Sequence, residues 1–196
     1  MKRKIYFQKT SLQIVTYLSL FIVLFIQDNI FAQWKDAERK AVELLYQAYV
    51  LQHNIRTEDD LKMVEELYKQ AEYLFAVAGK EKERAICLDE LGNLYFSTGR
   101  YTEAEELYQR VLSIFENIPG TEEERARCLM NLGNLYFSTG RYTEAEELYH
   151  RALSIFENIP GTEEKRARCL TNLGNLYFST GRYTEAEELY HRALSI

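Results

Sequence analysis

One stretch of sequence occurs three times in this chain, and it constrains the fold more than any other feature. The segment LGNLYFSTGRYTEAEELY begins at Leu91, at Leu132 and at Leu173, so the repeat period is 41 residues. The unit that begins at Leu91 and the unit that begins at Leu132 differ at only four positions. A fixed period of this length indicates a repeat architecture, in which each unit packs against its neighbours along the chain.

Each unit is predicted to form two antiparallel helices. Apolar residues of the middle unit recur at helical spacing in two successive segments, which is typical of helices with one buried face. The first segment has Ala126, Leu129, Leu132, Gly133 and Tyr136 on this face, and the second has Ala145, Leu148, Tyr149, Ala152, Leu153 and Phe156. Gly140 lies between the two segments and is the expected helix stop, because glycine enters the left-handed conformation without strain.

Short capping signals predict where several helices begin. Thr57 follows a polar turn and is a candidate helix cap. Thr121 with Glu124, and Thr143 with Glu146, match the capping box, in which a Thr hydroxyl and a Glu carboxylate satisfy free backbone amides. These two pairs are therefore expected to open the two helices of the middle unit.

The spacing of the leucine, glycine, tyrosine and alanine positions within a unit resembles that of the tetratricopeptide repeat. The resemblance rests on Leu129, Leu132, Gly133, Tyr136, Ala145, Tyr149 and Ala152, and on the same positions in the other two copies. The period of 41 residues exceeds the usual length of about 34 and is similar to the extended repeats of kinesin light chain. HEAT and armadillo repeats share this length but not the Gly, Tyr and Ala spacing. The resemblance implies an all-α fold, a right-handed superhelical solenoid of antiparallel helix pairs.

The chain is expected to have three parts. Residues 1–32 resemble a signal peptide, residues 33–82 a degenerate N-terminal helical hairpin, and residues 83–196 an array of three repeats. The repeats are placed at about 85–118, 126–159 and 167–196. The last helix stops where both earlier copies continue, which leaves Tyr190, Ala193 and Leu194 beside an open edge. Either the chain is truncated at its C-terminus, which is the favoured interpretation, or it pairs with something through that edge.

The N-terminal segment has the layout of a secretory signal peptide. Three basic residues at positions 2–4 precede an apolar run at residues 12–26, and Ala32 is the expected cleavage point. The run is shorter than the about 20 apolar residues that cross a bilayer. The protein is therefore expected to be bacterial and exported, either periplasmic or secreted. A membrane anchor formed by residues 12–26 is the alternative, and contact with a membrane is expected only in that case.

Charge and missing motifs exclude several classes of function. Residues 33–196 carry 20 basic and 29 acidic side chains, so this part of the chain would repel a phosphate backbone and is not expected to bind nucleic acid. No nucleophile, zinc, phosphate-loop or dinucleotide motif is present, which favours a non-enzymatic protein without a cofactor or metal. The acidic cluster at Glu103, Glu105 and Glu106 lies at a predicted helix start and is interpreted as structural.

The three cysteines occupy the same position in successive repeats. Stacked helices lie about 8–10 Å apart, beyond the limit of about 7 Å between the Cα atoms of a disulfide. Cys87, Cys128 and Cys169 are therefore expected to be free thiols in the core, although an odd thiol could join another chain.

The resemblance implies that one face of each first helix lines a concave groove that holds an extended peptide or a partner helix. On this face the candidate binding residues are Asn93, Phe96, Arg127, Asn131, Asn134, Phe137, Arg168, Asn172, Asn175 and Phe178. An amide side chain can donate to and accept from a peptide backbone, and the Phe rings would add apolar contact area. The same asparagines could instead serve the fold by bonding the neighbouring repeat.

The sequence thus predicts a scaffold that binds a peptide or partner protein in the groove of a helical array. One alternative is a regulatory or recognition front end of a larger enzyme, with a catalytic domain beyond residue 196. Another is a structural repeat protein that associates with itself through its uncapped C-terminal helix.

Overall fold

The computed structural model describes residue 27 and residues 29–196 of the chain. These residues form eight α-helices and no strand, which confirms the all-α prediction. Helix α1 spans residues 29–52. The others are α2 (Glu58–Val77), α3 (Glu81–Ser97), α4 (Tyr101–Glu116), α5 (Glu122–Ser138), α6 (Tyr142–Glu157), α7 (Glu163–Ser179) and α8 (Tyr183–Leu194).

Consecutive helices form antiparallel pairs that stack into a solenoid. We call α1, α3, α5 and α7 the first helices of the pairs, and α2, α4, α6 and α8 the second helices. Helices α4, α6 and α8 pack against the first helices of their own pairs, and α2, α4 and α6 pack against the first helix of the next pair. Short turns join them, and the glycines of these turns, such as Gly140 with φ 78°, adopt the left-handed conformation.

The two predicted apolar faces of the middle pair are buried, as expected. Their apolar side chains lie in one hydrophobic cluster that runs from Ala48 to Leu189, and Gly133 is buried on the same face. The second-helix tyrosines Tyr68, Tyr108 and Tyr149 are among the largest fully buried side chains. One continuous core therefore links the degenerate hairpin at residues 33–82 to the three repeats.

A glycine allows the two helices of each repeat to approach closely. A Cβ atom added to Gly133 would lie 2.7 Å from Cε1 of Tyr149, and the same contact recurs between Gly92 and Tyr108. That distance is too short for two carbon atoms without a shift of the ring or the helix. The glycine of the repeat motif is therefore required by the position of the buried tyrosine.

The capping predictions are right at one helix and wrong at two. Thr57 caps α2 in a capping box with Asp60, as its position indicated. The Thr121 side chain caps no amide, because its hydroxyl donates to the carbonyl oxygens of Phe115 and Ile118 in the preceding turn. The predicted box at Thr143 is also wrong, since α6 begins one residue earlier and has Arg141 at its cap position.

The predicted signal peptide lies largely outside the described residues. Its basic start and its apolar run at residues 12–26 are not described, while residues 29–32 form the first turn of α1. Among the helices that are described, none has the length and hydropathy needed to cross a membrane.

The three cysteines are buried and free, as predicted. The thiol of Cys128 donates to the carbonyl oxygen of Tyr108 at 3.4 Å, and that of Cys169 to the oxygen of Tyr149 at 3.2 Å. Burial raises the pKa of the Cys87 thiol to about 12, so this cysteine is held in its neutral form. All three therefore serve as core residues.

Candidate binding surface on the first helices

The asparagines predicted to bind a partner are tied to the core by the buried tyrosines. The hydroxyls of Tyr108 and Tyr149 donate to the Oδ1 atoms of Asn93 and Asn134, each at 2.8 Å. Tyr190 makes the same bond to Asn175 at 2.8 Å. Since each bond joins the second helix of a pair to its first helix, it fixes the orientation of the amide group.

A second set of asparagines links each first helix to the next. Nδ2 of Asn131 donates to Oδ1 of Asn93 at 3.1 Å, and Nδ2 of Asn172 donates to Oδ1 of Asn134 at 2.9 Å. The asparagines therefore bond the neighbouring repeat, which is the structural role considered from the sequence. This role occupies only one end of each amide group.

The two sets present opposite chemistry at the surface. Asn93 and Asn134 use their oxygens internally and turn amide N–H groups outward, with only a 3.5 Å contact from Asn93 to Glu90. Asn131 and Asn172 use their N–H groups internally and keep their oxygens free of other hydrogen bonds within the described residues. We call the asparagines of both sets, together with the three phenylalanines beside them, the amide surface: Asn93, Asn131, Asn134, Asn172, Asn175, Phe96, Phe137 and Phe178.

One further amide side chain lies in line with the amide surface, in the degenerate first hairpin. The sequence pattern did not identify it. Tyr68 occupies the place of Tyr108 in that hairpin, and its hydroxyl donates to Oε1 of Gln52 at 2.7 Å. Gln52 precedes Asn93 by one repeat period. The period could have located it, but α1 has no other residue of the repeat motif at its C-terminal end.

The three phenylalanines lie at the edge of the amide surface. Each ring packs at a tilted or edge-on angle against the tyrosine that opens the following second helix, with centroids 5.3 to 5.8 Å apart. Phe96 and Phe137 are half-buried, whereas Phe178 is 59% exposed. Aromatic area is thus accessible along the whole row and is largest at the last pair.

The two arginines among the predicted binding residues differ in their surroundings. Nη2 of Arg127 lies 3.2 Å from Oδ2 of Asp89, a carboxylate that is fully buried on α3. Arg168 is exposed and has no ion pair among the described residues, because Met130 replaces Asp89 in its repeat. Only Arg168 is therefore free to meet an acidic group of a partner.

Burial controls the protonation of Asp89. Desolvation raises the pKa of this carboxyl to about 6, and the nearby Arg127 guanidinium and the Asn131 amide only partly oppose it. Neither Met130 nor Thr171, its counterparts in the later repeats, can ionise. The first repeat thus contains an acidic group beside the amide surface that the others lack.

A cluster that sequence reasoning interpreted only as helix-start acids joins consecutive pairs. Glu105 on α4 accepts hydrogen bonds from the Tyr136 hydroxyl at 2.7 Å and from Nη1 of Arg141 at 2.9 Å. The Arg141 guanidinium also stacks 3.7 Å from the centroid of the Tyr136 ring. The same three residue types recur as Glu65, Tyr95 and Arg100, and as Glu146, Tyr177 and Arg182.

These inter-repeat clusters set the positions of the amide-bearing helices. Each cluster contains a Glu of one second helix and the Tyr and Arg that follow in the next pair, so it fixes the stacking of the two pairs.

No group of three or more metal-ligating side chains occurs in the described part of the chain. The predicted site residues lie in repeated positions along the first helices, and their contact with a partner stays a prediction.

Comparisons with known proteins agree with this architecture. A family model described as Tetratricopeptide repeat matches residues 51–117, 83–146 and 124–196. Among solved structures, that of BtubC (BKLC) from P. vanneervenii is 24% identical, covers 83% of this chain and 72% of that one, and has a TM-score of 0.63. No curated protein sequence matches this chain.

The apo form of RapI is a second similar structure. It is 18% identical, covers 80% of this chain and has a TM-score of 0.71, and this chain spans 55% of its length. At these identities the two structures show the fold alone. The family model, in contrast, matches most of the sequence, from residue 51 to residue 196. The chain therefore belongs to the tetratricopeptide repeat family, whose helical arrays are scaffolds for protein–protein interaction.

Proposed function

We propose that this protein is a non-enzymatic scaffold whose amide surface binds an extended segment of a partner protein. The observation that supports this most is that the two ends of each amide group have different hydrogen-bonding roles. Each amide uses one end to hold the fold and leaves the other end for a partner. A surface built only for stacking would have no reason to present both free donors and free acceptors in repeated order.

The free groups match the needs of a peptide backbone. An extended segment has carbonyl oxygens that need donors and N–H groups that need acceptors. Nδ2 of Asn134 is a donor of this kind, and Oδ1 of Asn131 and of Asn172 are acceptors. Because backbone groups are the same for every residue, such contacts would give affinity with little selection of sequence.

Side-chain selection would come from the groups that flank the amides. Phe178 offers the most exposed ring and Arg168 an unpaired positive charge, and both lie on α7. A partner segment that carries an apolar residue and an acidic residue at this end would therefore bind best. Arg127 would contribute less, since Asp89 already neutralises it.

A peptide-selection experiment on the full chain tests this proposal. Peptides are selected from a random library against the protein, and the affinity of a selected peptide is then measured for the wild type, for Asn134→Ala and for Asn175→Ala. Loss of one backbone hydrogen bond is expected to weaken binding about three- to tenfold. The matched control is Asn158→Ala, because Asn158 is exposed at the end of α6, away from the amide surface.

Stability must be followed in the same variants. The Tyr149 hydroxyl loses its acceptor in Asn134→Ala, so the melting temperature of that variant is measured beside its affinity. Unchanged affinity in both variants would refute the proposal. A loss of affinity that equals the loss of folded protein would show that these amides serve only the fold.

We also propose that the protein acts after export, in the periplasm or outside the cell. The basic residues at positions 2–4 and the apolar run at residues 12–26 support this, as does the Ala at position 32. Fractionation of cells that express the full chain, with N-terminal sequencing of the product, tests it. Recovery of the uncleaved chain in the cytosol would refute it.

A further inference from the structure

A second surface, formed by the second helices, contains arginines that have no ion pair within the described residues. Between α4 and α6 lies a cavity of about 490 Å³, whose floor is the N-terminal half of α5. We call it the α4–α6 groove. It is lined by Arg125 and Leu129 of α5, by His150, Arg151, Ser154 and Ile155 of α6, and by Glu116 at the end of α4. This groove contains none of the residues of the amide surface.

The equivalent position in the first pair shows what these arginines bind. One repeat earlier, Arg84 and Arg110 take the places of Arg125 and Arg151. There, Nε of Arg84 donates to Oε1 of Glu72 at 2.8 Å, and Nη2 of Arg110 lies 3.6 Å from the same oxygen. A single carboxylate of the chain is thus held between the two arginines.

The later repeats keep the arginines but lack this carboxylate. Aligning the second helices places Leu112 where α2 has Glu72, and Leu153 takes that place one repeat later. Among the described residues, neither Arg125 nor Arg151 has an acidic group within ion-pair distance or a side-chain hydrogen bond.

In the last repeat, one arginine nitrogen atom lacks a hydrogen-bond acceptor within the described residues. Nε of Arg166 is buried and has no acceptor within the described residues. This is the atom through which Arg84, its counterpart, binds Glu72. Arg166 makes only a 3.7 Å contact to Glu163, and Arg192 one of 3.4 Å to Glu157.

We propose that the α4–α6 groove is a docking site for an acidic segment of a partner protein. A Glu or Asp side chain of that segment takes the place between Arg125 and Arg151 that Glu72 takes between Arg84 and Arg110. The partner's aliphatic atoms lie against the half-buried Ile155, and Ser154 offers a hydroxyl beside the carboxylate.

The surroundings of the groove favour a carboxylate over a more highly charged anion. Glu116 lines the same cavity, and Glu122 lines the adjoining one that shares Arg125, Ser154 and Ile155. Their negative charges would repel a dianionic phosphate more strongly than a single carboxylate.

Direct binding of defined peptides tests this proposal. A fluorescein-labelled peptide of Glu and Ala residues is titrated with the full chain at low ionic strength, and a Gln and Ala peptide of equal length is the control. Saturable binding of the Glu peptide alone is expected, and it should weaken as salt is added. In the Arg125→Gln/Arg151→Gln variant the affinity should fall about tenfold, from the loss of two charged contacts.

Two further variants make the result decisive. Asn134→Ala, on the amide surface, should bind the Glu peptide as the wild type does, which separates this groove from the proposed function. Leu112→Glu restores to the second pair the carboxylate that the first pair has. It should block the peptide in the α4–α6 groove while the protein stays folded, as Glu72 shows that the position accepts a Glu.

Three results would overturn the proposal. These are equal binding of the Glu and Gln peptides, wild-type affinity in the double arginine variant, and no saturable binding of the Glu peptide. Inorganic phosphate serves as a competitor, and its binding in place of the Glu peptide would reject a carboxylate ligand.

Discussion

Asp89 is the residue at which the first repeat departs most from the others. Its side chain is buried against Arg127, Asn131, Cys128 and Tyr108, with Glu90 next to it in sequence. Oδ2 of Asp89 is buried without a hydrogen bond, although Arg127 lies within ion-pair distance. Removing a carboxylate from water at such a site opposes folding unless it is protonated or fully paired.

The protonation of Asp89 should make stability depend on pH. Its pKa of about 6 in the folded protein lies above the ordinary value of 3.8. A raised pKa means that the stabilising contribution is complete below about pH 4 and is lost as the pH rises through about 6. Asp89→Asn, which cannot ionise, should therefore raise the free energy of unfolding at pH 8, by on the order of 2 kcal/mol, and change it little at pH 4.

Urea denaturation at the two pH values checks this expectation. Asp59→Asn is the control, because Asp59 is exposed on α2 and its replacement should have the same effect on the free energy of unfolding at both pH values. Equal destabilisation of Asp89→Asn at pH 4 and pH 8 would mean that its pairing with Arg127 outweighs the cost of burial.

Residues that repeat with the period were the most predictable from sequence, and those that break it were the least. The apolar stripes, the free cysteines and the small residue at Gly133 follow from helical spacing and from the need for close approach. The asparagines were assigned to the correct helices. Their bonds to tyrosines were not foreseen, because a hydroxyl 15 residues away gives no periodic signal.

At the scale of helices, the inter-repeat clusters explain why the pairs stack in one register. Glu65 on α2 accepts from the Tyr95 hydroxyl and from Nη1 of Arg100, each at 2.7 Å, and from Lys69 on its own helix. Burial acts to raise the pKa of Glu65, but the hydrogen bonds from Lys69, Arg100 and Tyr95 outweigh it and lower the pKa to about 2. The ionised carboxylate is thus part of the junction between the first two pairs.

Replacement of Glu65 should weaken that junction in a pH-dependent way. The lowered pKa means that its contribution is present above about pH 4.5 and is lost as the pH falls towards 2. Glu65→Gln should lower the free energy of unfolding at pH 7 by on the order of 2 kcal/mol, and the difference from the wild type should shrink as the pH falls. Thermal unfolding followed by circular dichroism measures it.

The neighbouring Glu66 provides the control for this prediction. It lies on the exposed side of α2, and within the described residues its side chain accepts a hydrogen bond from Gln70 of the same helix alone. Glu66→Gln should therefore leave the melting temperature nearly unchanged. If both variants melted alike at pH 7, the cluster would contribute no more than an exposed charge does.

Helix starts show why local sequence signals were not sufficient. The Thr121 and Thr143 signals match a capping box in sequence, yet neither side chain caps an amide. Thr121 is buried and bonds two carbonyl oxygens of the preceding turn, so the junction between repeats uses its hydroxyl. Glu146, assigned to the second box, bonds Tyr177 and Arg182 of the next pair instead. The hydroxyl of Thr121 thus serves the turn that precedes its helix, and the carboxylate of Glu146 serves the next pair.

At the scale of the whole molecule, near-identical repeats allow a unit to be removed without creating a new junction. Residues 132–172 differ from residues 91–131 at only four positions. Deleting residues 132–172 joins Asn131 to Leu173, and this link is equivalent to the present one between Asn172 and Leu173. Among the described residues, each helix pair packs on its neighbours alone, and the contacts at the new junction have equivalents between the repeats of the wild type. The shortened chain should therefore fold.

The deletion should reduce stability and the denaturant slope together. Stability of a solenoid is approximately a sum over repeats and the interfaces between them, so one of each is lost. The slope m scales with the surface that unfolding exposes, and we expect it to fall by about a quarter. Urea unfolding followed by circular dichroism, with a chain that carries a second copy of residues 132–172 as the reciprocal variant, measures both quantities. A longer chain with unchanged m, or a shortened chain that does not fold cooperatively, would mean that the array unfolds in independent parts and not as one unit.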